Sequence, residues 1–324
     1  MTAAVLAKLL AMFVTVALGY VAARQNWLGK PEEGDPARVL GNLAFYLFVP
    51  ALLFRTTARL DLAHMPWRTL AAFFVPTLLL LFAVYFQQRR KAGAEGAAAP
   101  SVRAITATFG NSVQVGIPFA AALFGEAGLA IHVTLVSLHA LVLLSVLTML
   151  VELDLARARH SHAEPSALLQ TLATTARNTV IHPVVLPVVA GLLWNLTGLG
   201  IHPIVDEALT TLASAVVPVC LVLIGVTLAA YGVRGRVRGA LMLSAVKLLV
   251  MPALVLVVAK YVFGLEGLPL AVIVVMASLP AGSNALIFAQ RYETLPAEVT
   301  ATIVLSTVAF AATASLWLAL LRLV

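Results

Sequence analysis

The chain has 324 residues, of which 61% are hydrophobic and 11% are charged, and its formal net charge is +7. A soluble chain carries about 25% charged residues, so this composition disfavours a soluble enzyme and a nucleic-acid-binding protein. A disulfide-built secreted module is also disfavoured, because the one cysteine, Cys220, cannot form a disulfide within the chain. With a mean hydropathy of +1.01, the chain has enough apolar residues for on the order of ten membrane helices.

In chain order, the predicted elements are apolar segments that are each long enough to cross a bilayer as one helix. Their continuous runs differ from the alternating segments of about ten residues that a membrane barrel shows. We therefore predict an all-α polytopic membrane protein. The first segment lacks a basic n-region and contains Lys8, which favours a membrane span over a signal peptide. The predicted spans are 2–23, 38–55, 67–87, 102–124, 127–151, 179–198, 207–230, 237–261, 268–290 and 296–321.

The distribution of Lys and Arg orients these spans. Loops after the odd-numbered spans carry fourteen of them, and the opposite side carries five. By the positive-inside rule the odd-numbered loops are cytoplasmic and both termini are extracytoplasmic, with Arg55, Arg59 and Arg68 as the main exceptions. The sequence thus predicts a multi-pass protein of the plasma (cytoplasmic) membrane.

Proline positions in the two halves of the chain match. Pro50 in the second span corresponds to Pro218 in the seventh, and Pro76 in the third corresponds to Pro252 in the eighth. Because each half has five spans, the second half must enter the membrane upside down, as in the inverted repeats of many secondary transporters. The alternative is a chance match, since proline is common in membrane helices. The predicted parts are a first repeat at 1–152, a cytoplasmic linker at 153–178 and an inverted second repeat at 179–324.

Spans 4 and 9 are interrupted by Gly, Pro and short polar residues at Gly110–Pro118 and Pro280–Asn284. A helix broken inside a bilayer must line a cavity or be buried in protein, because its freed backbone groups need partners. The inward N-termini of the half-helices offer free N–H groups and partial positive charge to an anion. Alternatively, the polar residues only satisfy kinked helices. The predicted substrate-binding residues are Asn111, Ser112, Gln114, Gly116 and Pro118 in span 4, and Pro280, Gly282, Ser283 and Asn284 in span 9.

Few ionisable residues lie within the spans. Lys247 is near the centre of span 8, where a lysine costs about 2.5 to 3.5 kcal/mol, so it should face the protein interior. It is a candidate charge partner of a substrate carboxylate or a protonation site; the alternative is pairing with helix carbonyls. His132 and His139 share one face of span 5, but two histidines without a third ligand favour buried packing over a metal site.

All fourteen Asp and Glu residues lie in loops or at span ends. Their distribution argues against a sodium site built from carboxylates and favours proton coupling or facilitated diffusion over sodium coupling. No nucleotide-binding or hydrolase motif is present. We therefore predict neither a cofactor nor an enzymatic activity.

The stretch from Asn111 to Phe119 with the following Leu-Phe-Gly-Glu, together with Ser278–Asn284 and the downstream Leu-Ser-Thr, resembles the auxin efflux carrier family, including its bacterial malonate and malate permeases. The resemblance implies a fold similar to that of bile-acid/sodium symporters. Spans 4 and 9 would cross in a transport domain with spans 3, 5, 8 and 10, while spans 1, 2, 6 and 7 would form a scaffold that dimerises. The residues carried over are Asn111, Pro118, Pro280 and Asn284.

The resemblance also implies movement of a small organic anion by an elevator-like mechanism. The chain lacks the Asn-Pro pairs and the long central loop of plant members, which favours a dicarboxylate or another carboxylate over auxin. We predict a secondary active transporter that lies in the lipid bilayer as a homodimer and binds a small carboxylate where spans 4 and 9 cross. The alternatives are a passive anion channel and a non-transporting membrane sensor or scaffold.

Overall fold

A computed structural model describes residues 3–29, 35–59, 66–91, 95–159, 185–231 and 237–321, and every regular element among them is helical. The predicted all-α class is therefore confirmed for this part of the chain. The helices are α1 (Ala3–Arg24), α2 (Pro36–Ala58), α3 (Trp67–Lys91), α4 (Ala99–Thr108), α5 (Ile117–Arg159), α6 (Val185–Thr197), α7 (Pro203–Tyr231), α8 (Val237–Val262), α9 (Gly267–Ser278), α10 (Ser283–Arg291) and α11 (Pro296–Leu320).

Several of these helices can cross a membrane. Within the described ranges, five are long and apolar enough: α2, α3, α5 from Leu123 to Ala158, α7 and α8. The two arms of α11, which meet at an angle of 55°, would make a sixth. The predicted linker at 153–178 and the start of the predicted sixth span lie mostly outside the described residues. Gly125, with a φ of 63°, divides α5 where the sequence predicts the end of span 4.

Two of the prolines embedded in helices follow a wide helical turn. A wide turn at Val246–Val250 precedes Pro252 in α8, and a similar turn precedes Pro50 in α2. Proline has no N–H to donate to the carbonyl four residues earlier, so that carbonyl needs another partner. For Pro252 the freed carbonyl belongs to Leu248, and the indole N–H of Trp317 donates to it at 2.8 Å. This bond fastens α11 to the middle of α8.

Helices α1, α2, α6 and α7 pack together through small residues, with α1 against α7 and α2 against both α6 and α7. A Cβ atom at Gly19 or at Gly225 would overlap a carbonyl oxygen of the facing helix in the α1–α7 contact. A Cβ atom at Gly191 of α6 would overlap the Thr57 hydroxyl of α2. Glycine at these positions lets the helix backbones approach closely, as is common where membrane helices pack.

Four of the remaining helices surround α9. Residues 272–278 are all buried, so α9 is covered on every side, as expected for a helix that is apolar all round. Helices α3, α5, α8 and α11 contact it. Phe119 of α5 meets Phe310 of α11 edge to face, with their ring centroids 5.2 Å apart. The centre of this group is thus the end of α9, where the second predicted break begins.

Charged residues at the ends of the helices have partners. Asp206 of α7 accepts from Arg55 at 2.9 Å and from Arg59 at 2.5 Å, which joins α7 to the end of α2. Arg68 donates to the carbonyls of Phe263 and Gly264, at 2.7 and 3.1 Å, just beyond α8. The three arginines that depart from the positive-inside pattern are thus bound within the folded protein.

Candidate functional site

Both predicted breaks are present. Helix α4 ends at Thr108, Phe109 is extended with φ −81° and ψ 111°, and a wide turn begins at Ser112. Helix α9 ends at Ser278, and α10 begins at Ser283 after a short extended stretch. Each span therefore consists of two half-helices with non-helical backbone between them.

The two breaks pair with each other as two short antiparallel strands would. The N–H of Asn111 donates to the carbonyl of Pro280, and the N–H of Gly282 donates to the carbonyl of Phe109, both at 2.8 Å. Each break thus satisfies backbone groups that the other has freed, as the low-polarity environment requires. The expectation that these amides are free for a ligand is wrong for Asn111 and Gly282, because the crossing itself uses them.

Neighbouring backbone groups of the crossing are also bonded. Gly110 and Ala281 form the bridge between the two paired bonds. The N–H of Ala281 donates to the hydroxyl of Ser306 in α11 at 3.1 Å, and the N–H of Ser112 donates to the carbonyl of Gly110 at 2.8 Å. The donors left for a ligand therefore belong to the first turns of the half-helices that start at the crossing.

Close backbone approach explains one of the glycines. A Cβ atom at Gly282 would lie 2.8 Å from the carbonyl oxygen of Gly110, which is part of the paired backbone. A Cβ atom at Gly110 would instead make ordinary contacts of 3.5 Å with Leu279 and Lys247. Of these two glycines, only Gly282 is thus required sterically by the crossing.

A pocket opens beside the crossing. Its cavity volume is about 40 Å³ when the open mouth is left out. That space suffices for a few waters or a small ligand. The predicted residues that line it are Asn111, Ser112, Gly282, Ser283 and Asn284. The two breaks therefore contribute polar side chains to the same small cavity.

The other predicted binding residues have different positions. Pro280 supplies the carbonyl that Asn111 binds. Gly116 packs behind the break, where a Cβ atom would lie 2.6 Å from the Nε2 atom of His132. The side chains of Gln114 and Pro118 lie outside the described part of the structure. A role in substrate binding stays a prediction for all of the named residues.

Sequence reasoning missed part of the pocket wall. Leu52 of α2 and Val216 of α7 line the pocket opposite the crossing. The available signal was their spacing, because Leu52 follows Pro50 by two residues and Val216 precedes Pro218 by two. Phe109, which contributes a ring to the wall, carries no such signal.

Cys220 also lies at this boundary. Its side chain is 1% exposed and lies beside the side chain of Ser283. The contact joins α7 to the first residue of α10. The sequence suggested only packing for this cysteine, but its position is beside the pocket.

Lys247 lies behind the crossing and does not line the pocket. Its side chain is fully buried, and its ammonium donates to the carbonyl of Ala277 at 2.6 Å. Among the described residues no carboxylate pairs with it. The partner in this structure is thus a helix carbonyl, which was the alternative to a substrate carboxylate in the sequence-based interpretation.

The two histidines of α5 have separate environments. The Nε2 atom of His132 is 2.8 Å from the carbonyl oxygen of Ser112, so His132 supports the wide turn after the first break. The ring of His139 packs against Phe109 at 4.3 Å and against Phe73 at 5.9 Å between centroids. In the described ranges, no group of three His, Cys, Asp or Glu residues could hold a metal ion.

The electrostatic arrangement of the crossing is asymmetric. The half-helix starts at Ser112 and Ser283 border the pocket, and a helix N-terminus carries partial positive charge together with unpaired N–H groups. The half-helix ends at Thr108 and Ser278 lie on the side of Lys247. An anion in the pocket would thus meet backbone donors, amides and hydroxyls.

Comparisons with known proteins indicate a family of membrane transport proteins. A family model described as membrane transport protein matches residues 4–318. A similar protein, an uncharacterized transporter of Methanothermobacter thermautotrophicus (strain Delta H), is 25% identical over 313 residues, which cover 95% of each chain.

Proposed function

The chain belongs to the auxin efflux carrier family of membrane transport proteins, and from this premise we propose that it is a secondary active transporter of a small organic anion. The anion binds in the pocket beside the crossing of the two broken spans. The observation that carries the proposal is the pairing of the breaks through two backbone bonds of 2.8 Å beside a pocket that both breaks line. Half-helix N-termini at such a pocket favour an anionic ligand.

The pocket wall favours a small carboxylate. Asn111, Ser112, Ser283 and Asn284 offer amide and hydroxyl donors, and in the described part of the chain none of the side chains that line the pocket is charged. Neutral donors and helix N-termini can bind a carboxylate without fully neutralising it, so a carrier of this kind can also release it. We propose a mono- or dicarboxylate, with malonate and malate as the first candidates because of the family resemblance.

We propose that two groups of helices move relative to each other. The scaffold consists of α1, α2, α6 and α7, and the transport domain consists of α3, α4, α5 and α8 to α11. The pocket supports this division, because Leu52 and Val216 belong to the scaffold and the crossing belongs to the transport domain. Sliding of the crossing past these apolar side chains would expose the pocket to either side in turn, which is an elevator-type movement.

We also propose that the two domains arise from two inverted five-span repeats with ten spans in total. Matched contacts support this. The first and seventh spans pack as α1 against α7, and the equivalent sixth and second spans pack as α6 against α2, each through glycine. The broken spans 4 and 9 are equivalent as well. Such symmetry is common in secondary transporters whose substrate site is at the midplane.

The membrane, the orientation of the termini and the oligomeric state are also part of the proposal. We place it in the cytoplasmic membrane with both termini outside, as the positive-inside rule favours, and as a homodimer through the scaffold domain. The three arginines that depart from the rule have structural partners, which gives a reason for their position other than topology. Proton coupling or facilitated diffusion is favoured over sodium coupling, because no carboxylate lines the pocket among the residues that the structure describes.

Uptake by proteoliposomes tests this function. We expect saturable uptake of at least one labelled anion from a panel of mono- and dicarboxylates, with gradients of pH and of sodium imposed separately. Protein-free liposomes are the control. Flux that does not saturate and is not accelerated by substrate on the opposite side would indicate a passive channel. Absence of protein-dependent flux for the whole panel would contradict the proposal and favour a sensor or scaffold.

A further inference from the structure

The burial of the Lys247 ammonium behind the crossing requires an explanation. A lysine at the centre of a membrane helix is costly, and a buried charge is normally paired or surrounded by dipoles. Lys247 is fully buried, and its ammonium has one hydrogen-bond acceptor, the carbonyl of Ala277, and no carboxylate partner among the described residues. The nearby titratable side chain on the facing helix α5 is His139, which supplies no negative charge.

In the described part of the structure, the negative partner of Lys247 is a backbone dipole. Ala277 is in the last turn of α9, and its carbonyl belongs to the partially negative end of that helix. The ammonium also lies 3.5 Å from the position that a Cβ atom of Gly110 would occupy, two residues beyond the end of α4. The C-terminal ends of both half-helices thus converge near one ammonium group.

This arrangement has the composition of a site for a monovalent cation. Backbone carbonyls at interrupted helices and the ends of half-helices are the groups that bind coupling cations in secondary transporters. Here a side chain of the protein provides the positive charge. The pocket lies on the opposite side of the paired backbone, where both half-helix starts are located.

We propose that Lys247 is a built-in cation: its ammonium takes the place of a separately bound monovalent cation at the two half-helix ends and holds the crossing in its anion-binding form. The inference rests on the proposed function for the anion, whereas the cation site can be tested without it. Lys247 is a positioning residue, because it acts through the crossing and does not line the pocket. Binding and transport should therefore need no added sodium.

Chemical rescue tests the site in the purified full-length protein. Lys247→Ala removes three carbons and the ammonium, and n-propylammonium supplies those same atoms. We expect this variant to unfold at a temperature several degrees below wild type in choline chloride, and n-propylammonium to restore at least half of the loss. Neutral 1-propanol should restore none of it. The unfolding temperature of wild type should be the same in choline, sodium and n-propylammonium chloride.

Two further variants separate charge from packing. Lys247→Met fills the space without a charge, so it should be destabilised and insensitive to n-propylammonium, and it should bind the transported carboxylate at least tenfold more weakly. Lys260→Ala, on the same helix but away from the crossing, should respond to no cation. If Lys247→Met matches wild type in stability and affinity, or if n-propylammonium fails to rescue Lys247→Ala, Lys247 is not a built-in cation.

These outcomes are distinguishable from failure of the proposed function. If no anion of the panel is transported but n-propylammonium rescues Lys247→Ala, the cation site stands and the transport proposal fails. If transport is found and wild-type uptake requires sodium, the built-in cation is overturned and the transport proposal stands. If Lys247→Ala does not fold in choline chloride, the variant can be purified in n-propylammonium chloride. Removal of n-propylammonium by dialysis should then lower its unfolding temperature, which gives the same test.

Discussion

At the scale of single residues, Asn111 and Asn284 bring one amide side chain from each break to the same pocket. We predict that Asn111→Ala and Asn284→Ala each abolish most saturable uptake. A hydrogen bond to a charged group contributes about 1.5 to 3 kcal/mol, so each loss should weaken carboxylate binding roughly ten- to a hundredfold. The measurement is the concentration dependence of uptake in proteoliposomes with equal amounts of protein.

The amount of folded protein in the membrane is the control for both variants. Near-normal abundance with lost uptake would support a role in binding. A parallel fall of abundance and uptake would mean that the amides only satisfy the kinked backbone, as polar residues in membrane helices often do. Thr313→Ala, on the exposed side of α11 where its hydroxyl bonds its own helix, is a matched polar control and should leave uptake near wild type.

Single residues also show how far sequence reasoning extends. The interior position of Lys247 follows from the cost of a central charge, and the structure places it there with no exposed surface. The contact between Cys220 and Ser283 does not follow from the sequence, because it joins helices that are far apart in the chain and neither residue type indicates its partner. Leu52 and Val216 were missed although their spacing from Pro50 and Pro218 was available as a signal.

At the scale of elements, the crossing depends on the close approach of two backbones. We predict that Gly282→Ala impairs uptake and stability, because its Cβ atom would lie 2.8 Å from the carbonyl oxygen of Gly110 and would force the paired strands apart. Such overpacking costs about 1 to 3 kcal/mol. Gly110→Ala is the matched variant: its Cβ atom would make contacts of 3.5 Å, so its effect should be clearly smaller.

Thermal unfolding and uptake of the two variants provide the comparison. Equal effects of Gly282→Ala and Gly110→Ala would contradict the observed packing of the crossing.

The breaks themselves were predictable, since Gly, Pro and short polar residues interrupt otherwise continuous apolar spans. Their pairing was not, because backbone N–H and carbonyl groups are the same in every residue and carry no sequence signal. The amides of Asn111 and Gly282 therefore looked free in the sequence and are bonded in the structure.

At the scale of the whole molecule, composition and hydropathy suffice for the helical class, while five described helices, or six with the bent pair, are long and apolar enough to cross a membrane. Composition and hydropathy do not decide which helices pack together, because lipid-facing and protein-facing positions are equally apolar in a membrane protein. The packing of α1 on α7 becomes readable only from the glycines at which the two backbones meet, Gly19 and Gly225. The matched prolines in the two halves are the sequence feature that predicts the proposed inverted repeat, in which this contact has an equivalent between α6 and α2.

A cross-link between the two proposed domains tests the carrier mechanism at this scale. The side chain of Cys220 in α7 lies beside that of Ser283 in α10, so Ser283→Cys would place two thiols close to each other across the proposed domain boundary. Oxidation should join scaffold and transport domain by a disulfide bond. The same substitution in a Cys220→Ser background is the matched control, since it cannot form that bond.

The most direct measurement is counterflow of a labelled carboxylate in proteoliposomes that contain the Ser283→Cys variant, before and after oxidation. We predict counterflow in the reduced protein, its loss on oxidation, its return with a reductant, and no response to oxidation in the Cys220→Ser control. Counterflow that persists after complete cross-linking, or its absence from both wild type and the reduced variant for every carboxylate tested, would contradict a carrier that moves its substrate with the crossing.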